Sequence, residues 1–248
     1  ARIISQELKV LFVELVSGAI KEEEEILHRI ELINGGVLFL DEIHSLERKI
    51  AEKFYSMMEY FKYKDKEFKP FTLIGATTEL GEILKDRKPL YERFKIPIEL
   101  EEYNVKDLIK IGAQYKIKIF REEKFTYEMY EILAQNSRNT PRTMIRLLEA
   151  SIYFNGNIEA VLKNFGILKD GFTTKDLKIL KYISANATGV GLQGLVNYLD
   201  TSAENYIYHI EPYLLKNDLI IRTHRGRRIT KEGIELIGDI EKNGYGKI

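Results

Sequence analysis

The sequence predicts an α/β domain followed by two smaller, mainly helical domains, the last of winged helix-turn-helix type. Three observations lead there. Buried-type apolar runs alternate with amphipathic helical stretches as far as residue 100. Strand patterns then stop, and helical periodicity alone fills residues 104 to 163. Beyond Gly171, three helices lead into a basic hairpin, LIIRTHRGRRIT.

Taken in order, residues 1 to 9 read as the end of a helix that has no preceding cap, loop or initiator methionine, so an N-terminal truncation is expected. VLFVEL reads as a buried strand. KEEEEILHRIEL follows as a helix whose glutamates favour its positive N-terminal end. Val37 to Leu40 form a second buried strand. A helix from about Ser45 to Glu59, a charged loop or short hairpin at 60 to 69, and the buried strand FTLIGAT come next. IPIEL, at 96 to 100, closes the strand series. VKDLIKIGAQY, TYEMYEILAQN and PRTMIRLLEASIYF supply the small helical domain, with Thr140 as N-cap and Pro141 in the first turn of the last. TTKDLKILKYISAN, LQGLVNYL and SAENYIYHIEPYLL are the three helices before the hairpin. The expected domains are therefore 1–100, 101–168 and 169–248.

Composition excludes several kinds of chemistry. The chain has 38 basic and 38 acidic residues, so a nucleic-acid surface would have to be a local patch. With no cysteine there are no disulfides, thiolate nucleophiles or cysteine metal clusters, which is compatible with a reducing cytosol. The four histidines, at 28, 44, 209 and 224, form no HxxxH or HExxH pair, so no transition-metal site is expected. VLFVELV is too short to span a bilayer and no signal peptide is evident; a cytoplasmic location is expected.

The residues that could carry chemistry are few. In VLFLDEIHSL a buried strand delivers Asp41 and Glu42 to a sheet edge, where an aspartate can help hold Mg²⁺ and a glutamate can orient a water. Seen alone, the pair could equally be a helix cap. IGATT brings Thr77 and Thr78 to the same edge, where a hydroxyl can bond the water or a phosphate. PLYERF puts Arg93 before an aromatic, and Arg142 sits in the first turn of the NTPR helix; either could neutralise a γ-phosphate, whereas Arg146 reads as a surface or ion-pair residue. Arg222, Arg225, Arg227, Arg228 and Lys231 form a basic cluster on the hairpin, suited to phosphate contacts that position a protein on DNA without reading sequence. Tyr206, Tyr208 and Tyr213 are expected to pack the small core behind it.

In this order and at these intervals, VLFLDEIHSL, FTLIGATT, PLYERF, NTPRTMIRLL and HIEPYLLKNDLIIRTHRGRRIT resemble the AAA+ ATPases, and closely the RuvB family of Holliday junction motors. The resemblance runs over essentially the whole chain. It implies an α/β P-loop AAA+ core, an all-α lid and a C-terminal winged helix. By the same resemblance Asp41 and Glu42 are the Walker B pair, Thr78 or Thr77 is sensor 1, Arg93 the arginine finger and Arg142 sensor 2. ATP and Mg²⁺ as cofactors, and a hexameric ring around duplex or junction DNA, are also implied.

Three departures matter. No GxxxxGK[ST] loop occurs, and ARIISQEL looks like the helix that normally follows it, so the core is N-terminally incomplete and this polypeptide is expected to bind ATP poorly or not at all. YFKYKDKEFKP is short where the family has a longer hairpin that docks on RuvA, which puts recruitment of a RuvA-like junction-binding protein through it in doubt. Glu79 follows GATT where an arginine is usual, and His224 stands where the family has proline. The alternatives left open are a non-catalytic DNA-binding protein with a degenerate ATPase scaffold, and a clamp-loader-like ATPase.

Overall fold

The structure is a computed structural model and describes residues 1–120 and 125–242. The chain divides between Glu99 and Leu100 into two compact units.

In the first unit, helix α1 (Arg2–Leu8) leads to strand β1 (Phe12–Val16), helix α2 (Glu23–Ile33) and strand β2 (Val37–Asp41). Helix α3 (Arg48–Tyr60), a hairpin of β3 (Lys62–Tyr63) and β4 (Lys66–Glu67), strand β5 (Thr72–Gly75) and helices α4 (Leu80–Asp86) and α5 (Lys88–Tyr91) follow. The three longer strands form a parallel sheet in the order β1-β2-β5. Parallel strands need crossovers, and α2 and α3 supply them. Leu38 and Leu40 of β2 share one core with Ile26, Ile30 and Ile33 of α2 and Phe54 and Met57 of α3. Gly36 lets the β2 strand begin close to its neighbour, since a Cβ there would stand 2.2 Å from the Leu11 carbonyl oxygen.

Only β2 is the buried strand the sequence predicts. β1 and β5 are the sheet's two edges, so β1 leaves Val16 exposed and β5 leaves Thr72 exposed. IPIEL is not a strand. Residues 96–100 pair with nothing in the described sheet, and Ile96, Ile98 and Leu100 are 78%, 74% and 88% exposed. Apolar alternation marks a strand only where a free edge receives it, and Pro97 removes one amide donor from the segment.

The β3–β4 hairpin is tied down at both strands. Glu23, nearly buried, takes Lys53 and, at 3.1 Å, Lys64 as ion-pair partners, and Lys66 pairs with Glu31. Hydrogen bonds from Lys53, Tyr63 and Lys64 pull the Glu23 carboxyl down from 4.5 to about 2. A depressed carboxylate stabilises the fold fully above its unfolded value and loses that contribution as pH falls from 4.5 through about 2. Acid titration by circular dichroism is expected to show a less steep loss of structure over that window in Glu23→Gln than in the unmodified chain; equal steepness would remove Glu23 from this role.

The second unit contains two separate hydrophobic cores. The first is built by helices α6 (Val105–Ile119), α7 (Tyr127–Gln135), α8 (Pro141–Tyr153) and α9 (Ile158–Asn164), around Leu108, Leu133, Met144, Leu147 and Val161. Thr140 does occupy the N-cap position of α8, but its hydroxyl donates to the Ser137 carbonyl (3.0 Å) and contacts Thr143 Oγ1 (2.7 Å) instead of capping an amide. A small hairpin, β6 (Ile167–Lys169) and β7 (Phe172–Thr173), leads to the second core. Here α10 (Thr174–Ser184) starts from a capping box of Thr173 and Asp176. Helices α11 (Leu192–Leu199) and α12 (Ala203–Asn205), a π-helical turn at Tyr206–Ile210, and α13 (Glu211–Lys216) precede strands β8 (Ile220–Thr223) and β9 (Gly226–Ile229) and helix α14 (Lys231–Lys242). Of the three tyrosines expected in this core, Tyr206 is fully buried and Tyr213 half-buried, while Tyr208 is exposed. Tyr208 falls on the outward side of the π-turn.

Candidate functional site

Strand β2 ends at Asp41, and the chain then turns sharply. Glu42 sits at φ 49°, a left-handed conformation that costs a non-glycine residue energy and persists where its surroundings impose it. The turn is held by three bonds. Glu42 N donates to Asp41 Oδ1 (3.1 Å), Ile43 N to the Ala76 carbonyl at the exit of β5 (2.8 Å), and Ser45 Oγ to the Glu42 carbonyl (2.7 Å). Asp41 Oδ2 is left with no partner among the described residues. One free carboxylate oxygen at a strand end suits Mg²⁺, which takes one or two protein carboxylates and completes its shell with water and phosphate.

The neighbouring strand places Thr77 against this turn. Its hydroxyl oxygen accepts the Glu79 amide hydrogen (2.9 Å) and lies 3.0 Å from His44 Nδ1. Thr78 is exposed and makes no such contact, so of the two threonines Thr77 is the one joined to the Asp-Glu turn. His44, 16% exposed, is the residue that sequence reasoning missed. Its Nδ1 also stands 3.3 Å from Glu42 Oε2, without hydrogen-bond alignment, and its Nε2 lies 3.6 Å from Glu79 Oε1. The signal was present in DEIHSL, where the turn Ile43–Ser45 swings the second residue after Glu42 back toward it. Glu79 shares a hydrogen bond with Glu82 and is partly buried; both raise its carboxyl above the usual range, and His44 opposes them.

Arg93 is not a free, solvated cation. Its guanidinium lies over the Tyr55 ring (3.9 Å to the centroid), donates from Nη1 to the Pro89 carbonyl (2.7 Å) and pairs with Glu59 (3.1 Å). Reaching a neighbouring subunit would require it to leave these partners.

In the second unit Arg142 opens α8, exposed and without a partner among the described residues, while Arg146 stacks on Phe165 (5.1 Å). Arg138, which carried no sequence signal, is the joint between the two cores of this unit. It ion-pairs with Asp176, donates to the Gly171 carbonyl (2.8 Å) and lies over the Tyr213 ring (3.8 Å).

The basic hairpin divides into two groups. Arg222 and Arg227 both grip Glu211, which is fully buried: Arg222 through Nε (3.1 Å) and Nη2 (2.8 Å), Arg227 through Nε (2.6 Å) and Nη2 (3.0 Å). Burial alone would raise the Glu211 carboxyl; the hydrogen bonds from Arg227 and Arg222 outweigh it and hold it low. These two arginines therefore shape the hairpin through Glu211; Arg227 is largely covered, whereas Arg222 keeps more than half of its side chain in solvent. Arg225 and Arg228 are exposed, and Lys231 pairs only loosely with Glu235 (3.5 Å). The hairpin turn needs Gly226, at φ 112°, because a Cβ there would stand 2.3 Å from the Val190 carbonyl oxygen. Val190 exchanges two backbone hydrogen bonds with Arg227 (2.9 and 2.8 Å) and so pins the wing from below.

Among the described residues no three His, Asp or Glu side chains converge as a metal site, and no helix is long and apolar enough to cross a membrane.

Two family models match. The Holliday junction DNA helicase RuvB P-loop domain covers residues 1–100, and the RuvB C-terminal winged helix domain covers 169–238. The chain is 35% identical to the Holliday junction branch migration complex subunit RuvB of Kosmotoga olearia, covering 100% of this chain and 78% of that one. It is 30% identical to the subunit of the same name from Mycoplasma genitalium, covering 96% and 81%. Among solved structures, the Thermotoga maritima RuvB Holliday junction branch migration motor superposes with a TM-score of 0.77 at 30% identity, over 95% of this chain and 81% of that one.

Proposed function

The chain belongs to the RuvB family, and from that premise we propose that it works in an ATP-driven motor acting as a hexameric ring on duplex or junction DNA. The observation that carries this reading is the Asp41-Glu42 turn at the end of the central strand, with His44 of that turn in contact with Thr77 just after the next strand. The reaction is attack of water on the ATP γ-phosphate. Glu42 orients the water, Thr77 (or Thr78) bonds the water or the phosphate, and Arg142 together with a neighbour's Arg93 neutralises the charge that develops. Asp41 is the residue here that would hold Mg²⁺, which when bound would supply positive charge against the phosphates.

DNA contact falls first to Arg225 and Arg228, exposed cations of the wing with no carboxylate partner among the described residues, with Lys231 at the next helix start; Arg222, also exposed, and Arg227 shape the hairpin through Glu211. Phosphate contacts release counterions, so each one lost lowers the slope of log affinity against log salt by about 0.9 on duplex DNA. The variant Arg225→Gln/Arg228→Gln is expected to reduce that slope by about 2 and to weaken all sequences alike. An unchanged slope, read by filter binding across a salt series, would overturn the wing assignment.

The alternative is a DNA-binding protein on an idle ATPase scaffold. DNA-stimulated ATP hydrolysis by the full-length protein separates the two. Hydrolysis supports the motor, and DNA binding without it supports the scaffold.

A further inference from the structure

The acidic turn holds an unresolved need. Glu42 Oε2 is buried and makes no hydrogen bond among the described residues, although a carboxylate oxygen out of water costs free energy unless a donor meets it. His44 Nδ1 is the donor atom within reach, at 3.3 Å. The same nitrogen is 3.0 Å from Thr77 Oγ1.

We propose that His44 is a positioning residue for hydrolysis: its Nδ1 alternates between Glu42 and Thr77 and so keeps the Glu42 carboxylate and the Thr77–Thr78 turn, which follow different strands, in register with each other. The proposal rests on the reading of Glu42 as the water-orienting group.

The geometry allows two arrangements. With the hydrogen on Nδ1, the ring donates either to Thr77 or, after a small rotation, to Glu42 Oε2. With the hydrogen on Nε2, Nδ1 instead accepts from the Thr77 hydroxyl, and Glu42 is left without a donor. Nε2 faces Glu79 at 3.6 Å, too long for a hydrogen bond, so Glu79 acts on the ring as a neighbouring charge. The ring cannot drift far, because the turn that carries it is bonded through Ile43 to the Ala76 carbonyl at the exit of β5.

Asparagine and glutamine distinguish this role from simple packing. In His44→Asn the amide nitrogen stands about where Nδ1 was and still reaches Thr77 and Glu42. In His44→Gln it stands about where Nε2 was and reaches toward Glu79 instead. In steady-state ATP hydrolysis by the full-length protein, His44→Gln and His44→Ala are expected to lose kcat by about 10-fold or more with KM little changed, as for other residues that orient a reacting side chain. His44→Asn is expected to keep most of the activity. Equal losses in Asn and Gln, or a loss carried by KM, would overturn the proposal while leaving the ATPase reading intact. Absence of hydrolysis in the unmodified protein would instead overturn the ATPase reading, and this inference with it. Nitrogen NMR of the His44 ring in the folded chain gives a second readout: Thr77→Val is expected to shift Nδ1, and an unmoved signal counts against the bridge.

Discussion

Glu211→Ala is expected to destabilise the winged-helix core by about 3 kcal/mol, the low end of the range for removing one partner of a buried ion pair. The carboxylate is fully buried and answers two guanidinium groups. Removing it leaves Arg227, only 14% exposed, as a cation without a counter-charge beside the buried Tyr206 (5.6 Å from its ring). Arg222 is 56% exposed and recovers water, which keeps the cost at the low end. Urea unfolding followed by circular dichroism reads the loss directly. Because the penalty comes from the stranded charge, adding Arg227→Met to the variant is expected to restore much of the stability. A loss below about 1 kcal/mol, the scale of an exposed pair, would mean that Glu211 and its arginines are not a buried pair in solution.

Glu42→Gln is expected to lower ATP hydrolysis by the full-length protein by about 10²- to 10⁴-fold, the range over which a positioned acid-base group contributes, with ATP binding retained. Glutamine keeps the shape of the side chain and can still meet His44, but it cannot accept the water's proton or carry the negative charge that orients it. Single-turnover hydrolysis beside equilibrium binding of a fluorescent ATP analogue separates the two effects. Unchanged turnover would remove Glu42 from this role, and lost binding would assign it to the nucleotide instead.

Both predictions concern residues in strings that sequence reading had already singled out, yet they were legible to different degrees. Asp41 and Glu42 are read from a run of four apolar residues ending in two acids, because burial of a central strand is written into consecutive positions. Glu211 also lies in a quoted string, HIEPYLL, but nothing near it says that its partners are Arg222 and Arg227, 11 and 16 positions on. The cluster read as uniformly available because no acid interrupts it along the chain; the acid arrives from helix α13. IPIEL failed in the opposite sense: its alternation suits a strand, but a strand exists only with a neighbour to bond.

By itself the sequence determined the three strands of the parallel sheet and the helices between them, the acidic pair after β2, the basic hairpin and the family, because periodicity, turn residues and motif spacing are local properties that survive without coordinates. Only the tertiary structure decided which arginines of the hairpin have a carboxylate partner, that Thr77 rather than Thr78 touches the acidic turn, that His44 is the residue through which it does so, and that Arg138 joins two cores. Each of these depends on charges or hydroxyls far apart in the chain meeting at about 3 Å. That meeting is set by how the elements pack, and packing is driven by apolar burial, which carries no direct record of the polar pairs it brings together.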